Sequence, residues 1–415
     1  MRILHLVHQY PPDYVGGTER YTQSVAYALR QRGHDVAVLS RRSADGHGVT
    51  RDVEGDVQVW AAWDGEVTAL RRFVTTFRSP VLLDAFSRVL RATRPDLIHI
   101  QHLMAWPVAL LREIREAGIP FVVTLHDYWW VCANALLITN YNQELCDGPH
   151  AYVNCARCAL ARGGTAGLWP FIPPLAGLLF WRNQALRRFL EAAEKVIVPS
   201  KFVRDWYTAH GLSEGLVTVI PHGLEVLPQL PRVQLDRTVR FAYIGGLAWH
   251  KGVHVIVDAF HDVKGDAELW IVGDASADPG YGQHLHTLAT PKVRFLGRLP
   301  HDEIWRILSE VDVVVVPSLC YESFSLVVRE AFAAGLPVVA SDFGALAEAV
   351  KDGVDGLCVH PGDVAAWRAA LQQFVDDPEL LPRLRANVCP PFTLEEHVER
   401  LESLYVQCVD SQVGA

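Results

Sequence analysis

The residues best suited to chemistry lie around two glutamates with seven residues between them. From Val313 a β-branched segment runs to Pro317, and a polar loop then carries Glu322. A helical pattern starts near Phe324, holds Glu330 in its second turn, and is stopped by Gly335 and Pro337. Such a loop sets the free N–H groups of a helix start at the carboxyl edge of a parallel sheet, where open α/β folds bind ligands. Those groups attract phosphate. A carboxylate at the same edge, such as Glu330, can accept two hydrogen bonds from ribose hydroxyls. Alone, Glu322 is a solvated loop charge, Glu330 a helix-surface charge, and Lys251 a polar residue before Gly252.

Three other groups could carry chemistry. Gly16 and Gly17 follow a strand and precede a helix, so a phosphate could approach their backbone closely, although a plain turn needs the same residues. His126 ends an apolar strand and is followed by Asp127. Cys132, Cys146, Cys155 and Cys158 are spaced by 13, 8 and 2 intervening residues. Four thiolates fit tetrahedral zinc, and an iron–sulfur cluster uses the same ligand count. The segment between them is rich in Asn, Asp, Gly and Tyr, so a structural zinc, or alternatively an iron–sulfur cluster, would supply a constraint its core lacks. The other reading is four reduced, partly buried thiols.

The elements that must position these groups alternate between short β-branched runs and helical patterns, as in parallel α/β sheets. Strands are expected at Ile3–Val7, Val36–Ser40, Leu97–His99, Phe121–Leu125 and Val196–Pro199. A second series is expected at Val239–Ile244, Leu269–Val272, Val293–Leu296, Asp312–Val316 and Pro337–Ala340. A helix from Glu19 to Gln31 ends before Gly33. The join lies between Gly223 and Arg237, where prolines interrupt regular structure, and a last helix from Leu394 could cross back onto the first lobe. The 415 residues imply two or three domains at roughly 100 to 200 residues each. With 50% apolar and 20% charged residues, disorder is excluded.

With these residues in order, the chain resembles the family 4 glycosyltransferases, retaining nucleotide-sugar enzymes of the GT-B fold. The glutamate pair followed by Ala331 to Val339 resembles the family signature. Ile3–Val7 with Pro11, Pro12 and Gly16–Arg20 resembles its first strand and glycine loop, and Tyr243–Gly252 its second-lobe start. Asp342–Gly344 with Glu348, Asp352–Gly356 and Pro361–Asp363 resemble its end. The resemblance implies two Rossmann-like lobes with the donor site in the cleft between them. The acceptor-side lobe would be 1–225, with the cysteine insertion at 131–162, the donor-side lobe 226–388, and a returning helix 389–415.

By the same resemblance Glu330 would hold the donor ribose and Glu322 would sit near the donor sugar. Ser323, Phe324, Ser325 and Leu326 would offer N–H groups to the diphosphate, and Lys251 would neutralise charge on the leaving group. Gly16 and Gly17 would approach the diphosphate from the other lobe, and His126 would contact the sugar. Gly246 stands in the donor-binding stretch where members commonly have Arg, so Lys201 or Arg298 would have to replace that cation. The implied reaction moves a sugar, expected to be a hexose, to a hydroxyl of a glycan or lipid-linked acceptor in polysaccharide or glycoconjugate biosynthesis. It needs no carboxylate nucleophile and no catalytic metal. A nucleotide-sugar epimerase and a non-catalytic nucleotide-sugar binding protein are the rivals on this fold.

Charge and apolar patterning bound the partners. Formal net charge is −9; residues 1–225 carry 23 basic against 21 acidic residues and the remainder 15 against 26, which argues against a nucleic-acid partner. Eight cysteines are too few for a disulfide scaffold and fit a reducing compartment, and the amino terminus lacks a signal-peptide pattern, so a cytoplasmic location is expected. The uncharged stretch 163–181 carries Pro170, Pro173 and Pro174, which should break any single membrane-spanning helix. Residues 68–94 hold six arginines and one acid among large apolar residues. That segment is either a lobe helix packing inward or a basic amphipathic element. The second reading gives peripheral association with the inner face of the cell membrane.

Overall fold

The computed structural model describes residues 1–14, 16–165, 168–225, 238–276 and 278–413. The proline-bearing join expected between Gly223 and Arg237 falls largely outside them. The chain divides into two units, residues 1–223 with 394–415, and residues 224–393.

The first unit runs β1 (Arg2–Leu6), α1 (Gly17–Gln31), β2 (Asp35–Arg41), β3 (Ala44–Glu54), β4 (Val57–Gly65), α2 (Ala69–Phe77), α3 (Pro80–Thr93), β5 (Leu97–Ile100), α4 (Leu110–Ala117), β6 (Phe121–Thr124), α5 (Val153–Arg162), α6 (Ile172–Glu191), β7 (Lys195–Val198), α7 (Lys201–Ala209) and β8 (Val217–Val219). Its sheet has the order β3-β4-β2-β1-β5-β6-β7-β8. All pairs are parallel except β3 with β4. The central strands are apolar on both faces because helices cover both. Exposed β3, with Asp45, Gly46, His47 and Gly48, shows no such run, which is why sequence reasoning passed over it.

The second unit runs β9 (Val239–Ile244), α8 (Val253–Ala259), β10 (Ala267–Val272), α9 (Pro279–Leu288), β11 (Val293–Gly297), α10 (His301–Glu310), β12 (Val313–Val316), α11 (Leu326–Ala333), β13 (Val338–Ser341), α12 (Gly344–Ala349), β14 (Gly356–Val359), α13 (Val364–Asp376) and α14 (Leu380–Arg385). The order β11-β10-β9-β12-β13-β14, all parallel, is that of a dinucleotide-binding sheet. Strand order reverses between β9 and β12, so the loops leaving these strands diverge and leave a crevice at their carboxyl ends. The core packs Phe241, Phe260, Trp367 and Phe374 on one face and Trp305, Phe332 and Leu336 on the other.

The chain then returns to the first unit as α15 (Leu394–Val413), whose Val398, Leu401 and Tyr405 pack with Val25 and Leu29 of α1. The helix is pinned by polar contacts as well. Tyr405 Oη lies 2.6 Å from His99 Nδ1, His397 Nε2 lies 2.7 Å from Tyr21 Oη, and His397 Nδ1 lies 2.7 Å from the Pro221 carbonyl.

Two patterning expectations are refined. The 68–94 segment forms two helices, and α3 buries Leu82, Phe86 and Val89, so that helix packs inward. Pro173 and Pro174 do not break α6; they lie in its first turn, where an N–H has no intrahelical partner to lose. Across 163–181 no single helix forms, and among the described residues no helix is long and apolar enough to cross a membrane.

Buried histidines, among them His5, His99, His126, His222 and His397, line the first sheet and its returning helix. Burial pushes His5 down to about 3 and His397 to about 4, and holds His99, His126 and His222 well below the ordinary 6.5. These imidazoles are neutral when folded, whereas the unfolded chain takes up protons below 6.5. Stability is therefore whole above that pH and falls as pH drops from 6.5 toward 4, by about 1.4 kcal/mol per pH unit for each extra proton. Calorimetry across this window should show a steadily falling melting temperature; a flat profile would contradict neutral burial of these rings.

Candidate functional site

The crevice of the second unit is built by two loops that touch. Gly245–Lys251 leaves β9, Pro317–Ser325 leaves β12, and the Leu319 N–H donates to the His250 carbonyl at 2.8 Å. Contact this close requires glycine at 252. Gly252 has φ +69°, and a Cβ there would stand 2.0 Å from the Pro317 carbonyl oxygen. The turn delivers Lys251 Nζ to 2.7 Å from Glu322 Oε1, and the Ser318 hydroxyl donates to the same oxygen at 2.7 Å.

The side chains of Lys251 and Glu322 are only 32% and 16% exposed. Burial alone would raise the Glu322 carboxyl, but the Lys251 charge and the hydrogen bonds from Lys251 and Ser318 outweigh it and hold the pKa below its ordinary value. Burial likewise works against the ammonium, and Glu322 reverses this, so Lys251 stays protonated. His250, pushed down to about 4 by burial and then by Lys251, adds no competing positive charge at neutral pH. The result is one partly shielded cation beside a helix start.

That helix is α11. The Ser325 hydroxyl caps it, accepting from the Val328 N–H at 3.4 Å. The Arg329 guanidinium lies over the Phe324 ring at 4.9 Å, which restrains the loop carrying Ser323 and Phe324. Glu330 is buried, with Oε1 3.9 Å from His301 Nδ1. Sequence reasoning missed Ser318 and Arg329, whose types alone did not separate them from core and surface residues. Gly246 is exposed and its carbonyl accepts from the Tyr243 hydroxyl at 2.8 Å. Of the suggested replacement cations, Arg298 lies just beyond β11, which β10 and β9 separate from β12, and acts on Asp274. Lys201 opens α7 in the first unit.

Gly16, Gly17 and His126 also belong to the first unit, at the carboxyl ends of its strands. Gly16 is the N-cap of α1 and Gly17 its first residue. Glu19, three residues into the helix, is buried, and burial raises its carboxyl. It lies 3.2 Å from His8 Nε2. His126 is buried, with Nε2 2.9 Å from Gln101 Oε1 and Nδ1 3.2 Å from His222 Nε2. It is a neutral ring held on both nitrogens, not a free proton carrier. Glu19, His8, Gln101 and His222 were missed; the available signal was a polar residue directly after an apolar strand, as at Gln101 and His126.

The four insertion cysteines are brought into one neighbourhood. Each of Cys146, Cys155 and Cys158 has its thiol raised by burial first and by the other sulfurs second, Cys155 to about 12. All four are free thiols. Their sulfurs are turned to local partners: Cys158 Sγ accepts from the Asn140 N–H at 3.2 Å and Asn134 Nδ2 at 3.1 Å, and Cys146 Sγ donates to the Gly148 carbonyl at 3.4 Å. Among the described residues no three cysteine, histidine or carboxylate side chains are grouped so as to hold a metal ion. These four neighbouring thiols are the ligand set expected from spacing for a zinc ion or an iron–sulfur cluster, and the function proposed below does not depend on that metal.

The close contact at Gly252 can be tested by substitution. Gly252→Ala should cost about 1 to 3 kcal/mol, because it combines left-handed backbone with a collision against a main-chain oxygen. Gly246→Ala, where a new Cβ meets nothing within 4 Å, should change stability little. Denaturant unfolding of the two variants side by side checks this, and equal midpoints would refute it.

Comparison with known proteins bears on the same geometry. Residues 15–226 match the family described as Glycosyltransferase Family 4, and residues 238–377 the family described as Glycosyl transferases group 1. Glycogen synthase of Mycobacterium tuberculosis is 28% identical over an alignment covering 92% of this chain and 88% of its own. Sucrose-phosphate synthase from Thermosynechococcus elongatus has a similar fold, with TM-score 0.74, 21% identity and 99% of each chain covered. HepE of Anabaena in complex with UDP and glucose gives TM-score 0.68 at 19% identity, covering 98% of this chain and 99% of its own. With one family match over most of the first unit and the other over most of the second, the protein belongs to glycosyltransferase family 4 and is a glycosyltransferase of the GT-B fold.

Proposed function

We propose that the protein transfers a hexosyl group from a nucleotide-sugar donor to a hydroxyl of a glycan or lipid-linked acceptor, with retention at the anomeric carbon. The observation that carries this reading is the Lys251–Glu322 pair at the β9/β12 switch point, beside the start of α11. The UDP and glucose bound by the similarly folded HepE support a donor of this class.

In this reading the diphosphate lies against the N–H groups of Ser323 to Leu326. Lys251 faces the charge that develops as the sugar–phosphate bond breaks. Cations and N–H groups held in advance at a departing phosphate are usually the largest catalytic contribution, since nothing has to reorganise during the reaction. Glu322 keeps the ammonium charged and aimed while the donor is absent. Glu330 accepts from the ribose hydroxyls. The leaving phosphate oxygen takes the acceptor proton, so no protein nucleophile is assigned. Synthesis of a polysaccharide or glycoconjugate at the cytoplasmic face of a membrane would place the enzyme as a peripheral protein beside a lipid-linked acceptor.

Lys251→Ala and Glu330→Ala should each lower turnover by about tenfold to a hundredfold, the equivalent of about 1.5 to 3 kcal/mol for a lost charge-assisted contact. Far-ultraviolet circular dichroism should remain that of the parent. A panel of nucleotide sugars, scored for nucleotide release with and without glycan acceptors, is the decisive assay. Acceptor-dependent release supports transfer; a changed sugar without acceptor indicates an epimerase, and tight binding without turnover a binding protein. If both alanine variants match the parent, this site assignment is wrong.

A further inference from the structure

We infer that the outer half of α6, with the segment leading into it and the neighbouring face of α2, is a docking surface for an anionic phospholipid bilayer. This deepens the peripheral association proposed above by naming the surface and the lipid chemistry. A helix on the surface of a water-soluble lobe normally turns charged residues outward. Here residues 168–181 contain none, although most of them are exposed. Trp169 is 73% exposed, Phe171 57% and Trp181 56%, and Leu178 and Phe180 are also exposed. Leu70, on α2 three residues before Phe73, is also 73% exposed.

The face is a built feature. Trp181 stacks on Phe77 of α2 with ring centroids 5.0 Å apart, and Phe73 packs against the small core of Ala156, Ala176 and Leu179 beneath α6. Behind it, buried Arg182 donates to the Trp129 carbonyl at 2.8 Å and Asn183 to the Val131 carbonyl at 2.7 Å. The inner half of α6 is thus locked to the lobe, while the segment leading into it presents Trp169 and Phe171 and its outer half Phe180 and Trp181.

Charge selects the occupant. Besides buried Arg182, helices α2, α5 and α6 carry six arginines, of which Arg71 and Arg187 pair with Asp64 and Glu191, and no acid before Glu191, the last residue of α6. Tryptophan and phenylalanine settle at the boundary between headgroups and acyl chains, and arginines around them are attracted to anionic headgroups. A second copy of this chain docking through the same face would oppose arginine to arginine. Among the described residues no helix can span a bilayer, so the contact lies on the surface of one leaflet.

The test is flotation of the full chain with vesicles of phosphatidylcholine alone or mixed with phosphatidylglycerol. The parent should float with the mixed vesicles and far less with the neutral ones. The triple variant Trp169→Ser, Phe171→Ser, Trp181→Ser should lose bound fraction by roughly tenfold or more while its denaturation midpoint holds. Should that variant fold poorly, quenching of the parent's tryptophan fluorescence by acyl-brominated lipids reads the same insertion without a substitution. A parent that neither floats nor is quenched, or a folded triple variant that floats like the parent, overturns the docking surface. So does a parent dimer that the variant dissociates with no vesicle binding by either. Nucleotide release from the donor is followed on the same samples. Turnover without flotation would remove this surface and leave the transferase reading intact, and flotation without turnover would do the reverse.

Discussion

One backbone contact sets the geometry of the second unit's site. Because Gly252 turns in the left-handed region with no side chain, its backbone can close onto the Pro317 carbonyl, and the Leu319 N–H reaches the His250 carbonyl. Two loops leaving separate strands thereby become one rigid edge. Lys251 and Glu322, distant in sequence, meet at 2.7 Å only because of it. The pair is too shielded for water to weaken its attraction fully, which explains why both groups remain charged despite the cost of burial.

The first unit handles polar side chains differently. At the carboxyl ends of its strands it holds imidazoles, a glutamine and a buried glutamate that are satisfied mostly by one another. Gln101 links three rings: its amide nitrogen lies 3.1 Å from His5 and 3.2 Å from His99, and its oxygen 2.9 Å from His126. Neutral rings are far less costly to bury than charged ones, so this network stays intact while solvent is neutral. It also explains the integral place of α15, whose Tyr405 hydrogen-bonds His99 of β5 and whose His397 hydrogen-bonds Tyr21 of α1. A network of this kind fixes the orientation of His126 and leaves it little freedom to exchange protons.

Much of the architecture could be read in the chain because parallel strands buried on both faces must be apolar throughout. Runs such as Val313–Val316 and Val338–Ala340 are hard to read otherwise. The same logic failed for β3 at an exposed edge and β4 beside it, and for the short β8 and β14, which lack a long apolar run. The prolines near α6 show a related limit: a proline counts as a breaker only after the helix start is known, and Pro173 and Pro174 are at that start. The cysteine spacing was legible as a cluster. Which local partners the sulfurs take depends on rotamers, and here Cys146 and Cys158 bond with Gly148, Asn134 and Asn140.

By itself the sequence determined the family and the α/β class and singled out the candidate donor-side residues, because these rest on local patterns: apolar runs, a strand followed by a polar loop and helix start, and the spacing of Glu322 and Glu330. Tertiary structure decided which groups meet. That Lys251 pairs with Glu322, that His126 is held between Gln101 and His222, and that the uncharged stretch entering and opening α6 carries Trp169 and Trp181 into solvent all depend on strand order and helix packing. Pairing across a parallel sheet joins residues separated by long crossovers, and neither the order of strands nor the outward side of an uncharged apolar stretch is encoded in any short window of the chain.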